Sequence, residues 1–223
     1  MMIGNKMTLL PSPPNCKLYV SQIIDNLSDL AHIFGADTER VVNYAQRHFK
    51  SEHRRYEWLT IRAMLLQALG SDVTIEYTAE GKPYLIGKTT AQHSLSISHS
   101  KANAALLLSE QPHVGVDIEQ ISTRILSLAH RIAQFEELPA DFSSMTESEQ
   151  ANYLTVIWTI KEAVYKSLPC QQGVDLLTDI SVTPFCFNDK PFIVAVEIKR
   201  IDILCHVHCQ RFCDNVVSAV AIL

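Results

Sequence analysis

One long segment with helical periodicity, residues 146–168, lies between two series of short strand-like segments. It opens with Thr146 and Glu149, the spacing of a capping box that begins a helix. The strand-like runs are 72–79, 93–100, 103–110 and 113–119 before it, and 180–187, 192–199, 203–209 and 216–223 after it. Because strands and helices form separate runs rather than alternating, this order favours an α+β fold.

The first part of the chain contains a strand-like run at 17–24 and a helical pattern at 53–69 that Gly70 ends. A second helical pattern covers 123–135. The succession of strand, helix and strands occurs on both sides of residue 110, so we expect two halves, 1–110 and 111–223. Hydrophobic residues make up 47% of the chain, which is enough for an ordinary globular core.

Charge and apolar runs restrict the partners and the location of the chain. A net charge of −5 argues against a general nucleic-acid binder. The apolar run at the start of the sequence is too short and too interrupted by prolines to be the apolar region of a signal peptide. No run reaches the roughly 18 apolar residues that a membrane helix requires. We therefore expect a soluble cytoplasmic protein without membrane contact, whose six cysteines are reduced.

The segment 205–213 contains zinc-ligand types, with three cysteines and two histidines in nine residues. If 202–213 is a strand, Cys205 and Cys209 share one face while His206 and His208 share the other. Two cysteines four residues apart on a strand are about 13 Å apart, too far for S–Zn bonds of about 2.3 Å. We expect Cys205, Cys209 and Cys213 to be metal-free and mostly buried.

The sequence VGVDIE at 114–119 places two carboxylates on one face of a strand, since alternate side chains leave by opposite faces. Asp117 and Glu119 share that face, and three aliphatic residues share the other. Two like charges side by side repel each other, and a buried carboxylate needs a partner. A bound cation would satisfy both carboxylates.

The sequence WTIKEAVYK at 158–166 places Trp158, Glu162 and Lys166 along one stripe of a helix, with Lys161 about 100° away at its edge. Taken alone, Glu162 and Lys166 are typical of an ordinary surface ion pair. Together with the two strand carboxylates, Glu162 makes a suitable set of oxygen ligands for Mg²⁺, and the lysines suit phosphate oxygens. The combination indicates phosphoryl chemistry.

These two stretches resemble the signature motifs of the 4′-phosphopantetheinyl transferases of the large, Sfp-like type, and their spacing is also that of the family. EGKPYL at 80–85 resembles the family's G-[KR]-P turn, LSISHS at 95–100 its N-[IL]-S-H-S strand end, and RRYEWLTIR at 54–62 a basic helix. The chain departs from these patterns at Ile61, usually glycine, and at Ser96, usually asparagine. Residues 130–138 only loosely resemble the carrier-docking segment.

The resemblance implies two similar α/β halves that form a cleft for coenzyme A, within one monomeric chain. It assigns Asp117, Glu119 and Glu162 to Mg²⁺, and it assigns Lys161, Lys166, His99 and Ser98 to phosphates. Lys82 and Pro83 would line the nucleotide pocket, and Arg54 and Arg55 would meet the 3′-phosphate. The serine of an apo acyl or peptidyl carrier protein would attack coenzyme A, giving the holo carrier protein and adenosine 3′,5′-bisphosphate.

Several alternatives stay open at the level of sequence. The base that takes the serine proton is either Glu162 or a water on the metal, since a carboxylate bound to Mg²⁺ is a poor base. Arg54 and Arg55 are also compatible with an ordinary solvated helix face. The other candidate functions are a non-catalytic carrier- or coenzyme A-binding homologue and a Mg²⁺-dependent nuclease of the PD-(D/E)-x-K type. The latter would place 158–166 on a strand.

Overall fold

A computed structural model describes residues 7–70, 72–87, 93–169, 173–187 and 189–222. Within these ranges the strands, in chain order, are β1 (Thr8–Leu10), β2 (Cys16–Gln22), β3 (Val73–Tyr77), β4 (Pro83–Gly87), β5 (Ser94–His99), β6 (Asn103–Ser109), β7 (His113–Gln120), β8 (Ile180–Val182), β9 (Phe192–Ile198), β10 (Ile203–Phe212) and β11 (Asn215–Ile222). The α-helices are α1 (Leu27–Phe34), α2 (Thr38–His48), α3 (Glu52–Leu69), α4 (Ala129–Ile132) and α5 (Glu147–Ser167). The mixture of strands and helices confirms the α+β class.

The strands divide into two larger sheets and one hairpin, and the larger sheets lie on opposite sides of residue 110 in the chain. The first sheet has the order β1-β2-β6-β5, and the second has the order β7-β11-β10-β9-β8. Strands β3 and β4 form the separate hairpin. Every described strand pair is antiparallel. The sheets therefore follow the expected two-half order, while the division into domains remains a prediction.

The two long helices begin and end where local chemistry predicts. The Ser51 side chain accepts a hydrogen bond from the Arg54 amide at the start of α3, and Gly70 ends that helix at a φ of 87°. At the start of α5, Thr146 and Glu149 form the predicted capping box. Helices α1 and α2, which the sequence reading left unassigned, pack with α3 around Leu30, Ala45 and Leu59.

The expected continuous helix over 123–135 is wrong. The chain forms a 3₁₀ turn at Thr123–Leu128, the single turn α4, and a second 3₁₀ turn at Phe135–Glu137. Backbone at Ala133 and Gln134 is extended, and the buried Glu137 carboxylate accepts hydrogen bonds from the amides of Gln134 and Val182. These bonds attach the segment to β8, which a straight helix could not reach.

The two sheets pack face to face. Leu18, Val20 and Leu107 of the first sheet lie in one buried cluster with Val116 and Val217 of the second. The opposite face of the second sheet packs on α5, where a Cβ at position 115 would overlap the carbonyl oxygen of Ala163. Glycine in VGVDIE therefore allows α5 to lie directly against β7.

The predicted strand over 202–213 is confirmed as β10, and its side chains alternate as expected. Cys205 and Cys209 are buried toward α5, whereas His206 is exposed on the opposite face. Cys213 does not follow the prediction of burial, because it lies exposed in the turn to β11 with a φ of 51°. In the part of the chain that the structure describes, no helix has both the length and the apolar character needed to cross a membrane.

Candidate active site

Asp117 and Glu119 lie on the face of β7 that packs against α5. Val116 and Ile118 point the other way, into the core between the sheets, so the predicted alternation of this strand is confirmed. The antiparallel pairing of β7 with β11 and the close contact of Gly115 with α5 position the two carboxylates against that helix. Because residues 158–166 are helical, they do not have the strand geometry of a PD-(D/E)-x-K nuclease.

Asp117 is the centre of a hydrogen-bonded cluster that joins both halves of the chain. Its Oδ1 accepts a hydrogen bond of 2.6 Å from the Lys166 ammonium and one of 2.7 Å from the Ser98 hydroxyl. Lys166 also donates to Ser98 Oγ at 3.2 Å. The other carboxylate oxygen of Asp117, Oδ2, is buried and has no hydrogen-bond partner within the described residues. An unsatisfied buried carboxylate oxygen is costly, so this atom is available for a ligand.

Glu119 and Glu162 complete a group of three acidic side chains. Burial and the neighbouring Asp117 raise the pKa of Glu119 to about 7. Burial also raises the pKa of Glu162 above its ordinary value, and Lys166 acts in the opposite direction. A side-chain hydrogen bond from Trp158 acts in the opposite direction and lowers the pKa of Glu119.

A hard divalent cation fits this group chemically. Among the described residues, no three His, Cys, Asp or Glu side chains converge closely enough to hold a metal ion by themselves. Mg²⁺, however, prefers carboxylate oxygens and usually keeps water and substrate phosphate in its remaining positions. A bound cation would satisfy the free Oδ2 of Asp117 and would offset the burial and repulsion that raise the pKa values of Glu119 and Glu162.

Lys161 does not join the carboxylate cluster, although the sequence predicts that it contacts phosphate. Its side chain is fully buried, and its ammonium donates to Glu137 Oε2 at 2.8 Å and to the Leu177 carbonyl at 3.1 Å. Burial lowers the pKa of Lys161 below its ordinary value, while Glu137 acts in the opposite direction. The side chain of Lys161 leaves α5 at an angle of about 100° from that of Glu162, which directs it to the 133–138 segment.

The remaining predicted lysine reaches across the halves from the β3–β4 hairpin. The Lys82 ammonium donates to the carbonyl of Leu168 at 3.4 Å, just after the end of α5. A cation at this position interacts favourably with the helix C-terminus. Pro83 begins β4 opposite Tyr77. Neither Lys82 nor Pro83 is among the residues that line the large cavity described below.

Three residues of α3 and β5 form a second polar cluster. His99 Nδ1 lies 3.0 Å from Glu57 Oε1, and Arg54 Nη1 lies 2.9 Å from His99 Nε2 and 3.2 Å from Glu57 Oε2. Arg55 points elsewhere, because its guanidinium donates to the carbonyls of Phe49 and Lys50. The structure therefore brings Arg54 to His99 and uses Arg55 to hold the chain between α2 and α3.

A cavity of about 1160 Å³ borders this cluster and lies between α2, α3, β3 and β5. Four arginines line it, and aromatic rings accompany them: Arg40, Arg47, Arg54, Arg62, Tyr44 and Trp58. The Arg62 guanidinium stacks 4.0 Å above the Trp58 ring. His99, also at the cavity wall, follows directly after Ser98, which bonds to Asp117. Two consecutive residues of β5, Ser98 and His99, therefore connect the carboxylate cluster to the cavity wall.

Sequence reasoning named Trp158 only as part of the stripe with Glu162 and Lys166, and it did not single out Glu57, although both have a helical signal. Glu57 follows His53 and Arg54 at spacings of four and three residues, so the three share a helix face. Trp158 precedes Glu162 by one helical turn. Glu137 carries no comparable signal, because its partners Lys161 and Val182 are distant in sequence.

Comparisons with known proteins match the chain to one family. The model of the 4′-phosphopantetheinyl transferase superfamily matches residues 113–221. The 4′-phosphopantetheinyl transferase AcpT of Salmonella typhi is 36% identical over 153 residues, which cover 68% of this chain and 74% of that protein. AcpT of Escherichia coli O157:H7 is 36% identical over 115 residues, and the aligned part spans 51% of this chain and 57% of that relative.

Proposed function

Because this chain belongs to the 4′-phosphopantetheinyl transferase superfamily, we propose that it transfers 4′-phosphopantetheine from coenzyme A to a serine of an apo carrier protein. The products are the holo carrier protein and adenosine 3′,5′-bisphosphate. The observation that carries this proposal is the cluster of Asp117, Glu119, Glu162 and Lys166, which unites the two sequence motifs around one free carboxylate oxygen.

The transfer exchanges a phosphoanhydride bond for a phosphoester bond at phosphorus. The serine oxygen of the carrier forms a bond to the β-phosphorus, the bond from that phosphorus to the bridging oxygen breaks, and adenosine 3′,5′-bisphosphate leaves. Lys166 lies close enough to Asp117 and Ser98 to hold a phosphate oxygen beside the carboxylates. The serine proton leaves to a base near the same carboxylates, and Glu162 is the candidate residue of this chain.

Asp117, Glu119 and Glu162 would hold Mg²⁺ at this site. The cation would supply positive charge that offsets the pyrophosphate of coenzyme A. Trp158 lies beside Glu119 and favours the charged form of that carboxylate. Lys161 is not part of this proposal, because its ammonium is bound by Glu137.

Coenzyme A is expected to extend from the carboxylate cluster into the arginine-lined cavity. Ser98 and His99 lie between the two, since Ser98 bonds to Asp117 and His99 lies at the cavity wall. With the pyrophosphate at Lys166, the 3′-phosphate is the other anionic group of the molecule, and Arg54 with His99 is the cationic cluster nearest to it in the chain. Lys82 and Pro83, which lie outside the cavity lining, would contact the nucleotide from the β3–β4 hairpin.

The carrier would be an acyl or peptidyl carrier protein, and we propose a holo-acyl-carrier-protein synthase type of activity in a monomer. Residues from both halves of the chain meet at Asp117, so the site needs no second subunit in this proposal. The expected cytoplasmic location and the lack of a nucleic-acid partner rest on sequence composition alone.

The test is direct modification of an apo acyl carrier protein by the purified chain with coenzyme A and magnesium. Intact-protein mass spectrometry should show the carrier gaining one phosphopantetheine group, and replacing the carrier serine by alanine should abolish the gain. Binding of coenzyme A in the same buffer is measured separately by calorimetry. Binding without modification of acyl or peptidyl carriers would favour the non-catalytic homologue, and absence of both would overturn the proposal.

A further inference from the structure

Glu57 is an anionic group at the wall of a cavity that also presents four arginines. Its side chain is only 7% exposed, and it lines the cavity together with Arg54 and His99. A buried carboxylate next to a site for phosphate should repel the ligand unless neighbouring cationic or proton-donating side chains offset its negative charge. Glu57 has three such neighbours, namely His53, Arg54 and His99.

The hydrogen bond from Arg54 determines which ring nitrogen of His99 carries the proton. The Arg54 guanidinium can only donate, so His99 Nε2, 2.9 Å from Arg54 Nη1, must accept. The remaining nitrogen, Nδ1, then carries the hydrogen, and it lies 3.0 Å from Glu57 Oε1. Glu57 therefore faces the protonated nitrogen of the neutral His99 ring and favours that tautomer.

The charged groups that face His99 are His53, Arg54 and Glu57 from α3 and Lys166 from α5. Burial, together with the three cationic neighbours, lowers the pKa of His99 below its ordinary value, although Glu57 acts in the opposite direction. A phosphate group placed between Arg54 and His99 would draw the guanidinium toward its own oxygens. His99 Nε2 would lose its donor and could take up a proton.

We propose that Glu57 is a positioning residue that acts through His99 to make binding of the 3′-phosphate of coenzyme A a proton-linked step. On binding, the Arg54 donor moves from His99 Nε2 to a phosphate oxygen, and Nε2 takes one proton from solvent. The resulting imidazolium donates from Nε2 to phosphate and from Nδ1 to Glu57. This inference rests on the proposed function, since it assumes coenzyme A as the ligand.

Nuclear magnetic resonance of the ligand-free chain tests the geometry without reference to coenzyme A. With the histidines labelled with ¹⁵N and ¹³C, and His99 assigned by comparison with His99→Gln, the His99 ring should be neutral and protonated at Nδ1. A ring protonated at Nε2 alone would overturn the proposal, because Arg54 could not then donate to that nitrogen.

Calorimetry in the presence of magnesium tests the coupling, with coenzyme A and dephospho-coenzyme A as the two ligands. Glu57→Gln keeps the shape of the side chain and removes its charge. We expect it to weaken coenzyme A binding about tenfold, the size of one lost charge-assisted hydrogen bond, and to leave dephospho-coenzyme A binding unchanged. Buffers of different ionisation enthalpy should report proton uptake with coenzyme A that is smaller in Glu57→Gln and small with dephospho-coenzyme A.

A double-mutant cycle tests whether Glu57 acts through His99. His99→Gln should weaken coenzyme A binding to a similar extent, and the double variant should lose little more than either single variant. His53→Gln is the matched control, because this histidine contacts the same carboxylate oxygen from an exposed position, and its effect should stay within about twofold. Thermal unfolding of each variant shows whether the fold is retained.

The outcomes separate this inference from the proposed function. No binding of coenzyme A to the native chain would overturn both. Binding of coenzyme A and dephospho-coenzyme A with equal affinity and equal proton uptake would overturn only the role of Glu57. Additive losses in the double variant would also overturn it, because Glu57 would then act independently of His99.

Discussion

At the scale of single residues, Asp117 and Glu162 can be distinguished by their response to magnesium. Asp117→Ala removes the unpartnered Oδ2, so carrier modification should slow and should recover partly as the magnesium concentration rises. Glu162→Gln retains one oxygen ligand but loses charge, and we expect the same partial recovery. Mass spectrometry of the carrier across a magnesium titration measures both variants.

A second glutamate of α5 provides the control for these two variants. Glu147→Gln is the same substitution at the exposed start of α5 and should leave the rate unchanged. A fall of about 10² to 10⁴ in Glu162→Gln that magnesium does not rescue would assign the base to Glu162 rather than a ligand role. If neither substitution changed the rate, the magnesium site would be wrong.

The cysteines give a second test at this scale. Burial raises the pKa of Cys205 to about 11 and that of Cys209 to about 12, so both thiols should resist iodoacetamide in the native protein at about pH 8. The exposed Cys186 and Cys213 should react first. Peptide mass spectrometry after timed labelling measures the order, and labelling in denaturant controls for intrinsic reactivity. Alkylation of Cys209 before Cys213 would contradict the buried face of β10.

At the scale of elements, the ion pair between Lys161 and Glu137 connects α5 to the 133–138 segment and to β8. Lys161→Met should lower the free energy of unfolding by about 3 to 5 kcal/mol, because it leaves a buried carboxylate without its cation. Adding Glu137→Gln should recover part of that loss. Lys17→Met, on an exposed position of β2, should stay within about 0.5 kcal/mol of the native value.

Denaturant unfolding measures these stabilities, and coenzyme A affinity gives the contrasting readout. A structural Lys161 predicts reduced stability with coenzyme A affinity little changed in the folded fraction. If Lys161→Met had native stability but bound coenzyme A much more weakly, Lys161 would be a phosphate ligand, and the buried ion pair would be contradicted.

At the scale of the whole molecule, one chain supplies both sides of the candidate site. Ser98 and Lys82 from the first half reach Asp117 and the end of α5 in the second half. The two sheets also share one buried core. We therefore expect sedimentation at micromolar concentration to show a monomer that modifies its carrier. A trimer with sites between subunits would contradict this arrangement.

Local patterns in the sequence determined most of the elements around the site. The capping box of α5, the Gly70 end of α3 and the alternation along β7 depend on residues within a few positions of each other, so they were predicted with nearly correct bounds. The sequence also predicted which charged residues group together, because two motifs with fixed spacing resemble those of one family. These residues are Asp117, Glu119, Glu162 and Lys166.

Tertiary structure alone decided which way the ambiguous side chains point. Lys161 and Glu162 are adjacent in sequence, yet one lies in a buried ion pair and the other with the carboxylates, because α5 packs between β7 and the 133–138 segment. Glu57 contacts His99 across 42 residues of chain, and Glu137 contacts Lys161 across 24. Helical and strand periodicity describe neighbours along the chain, whereas these pairs arise from packing between elements, which periodicity does not specify.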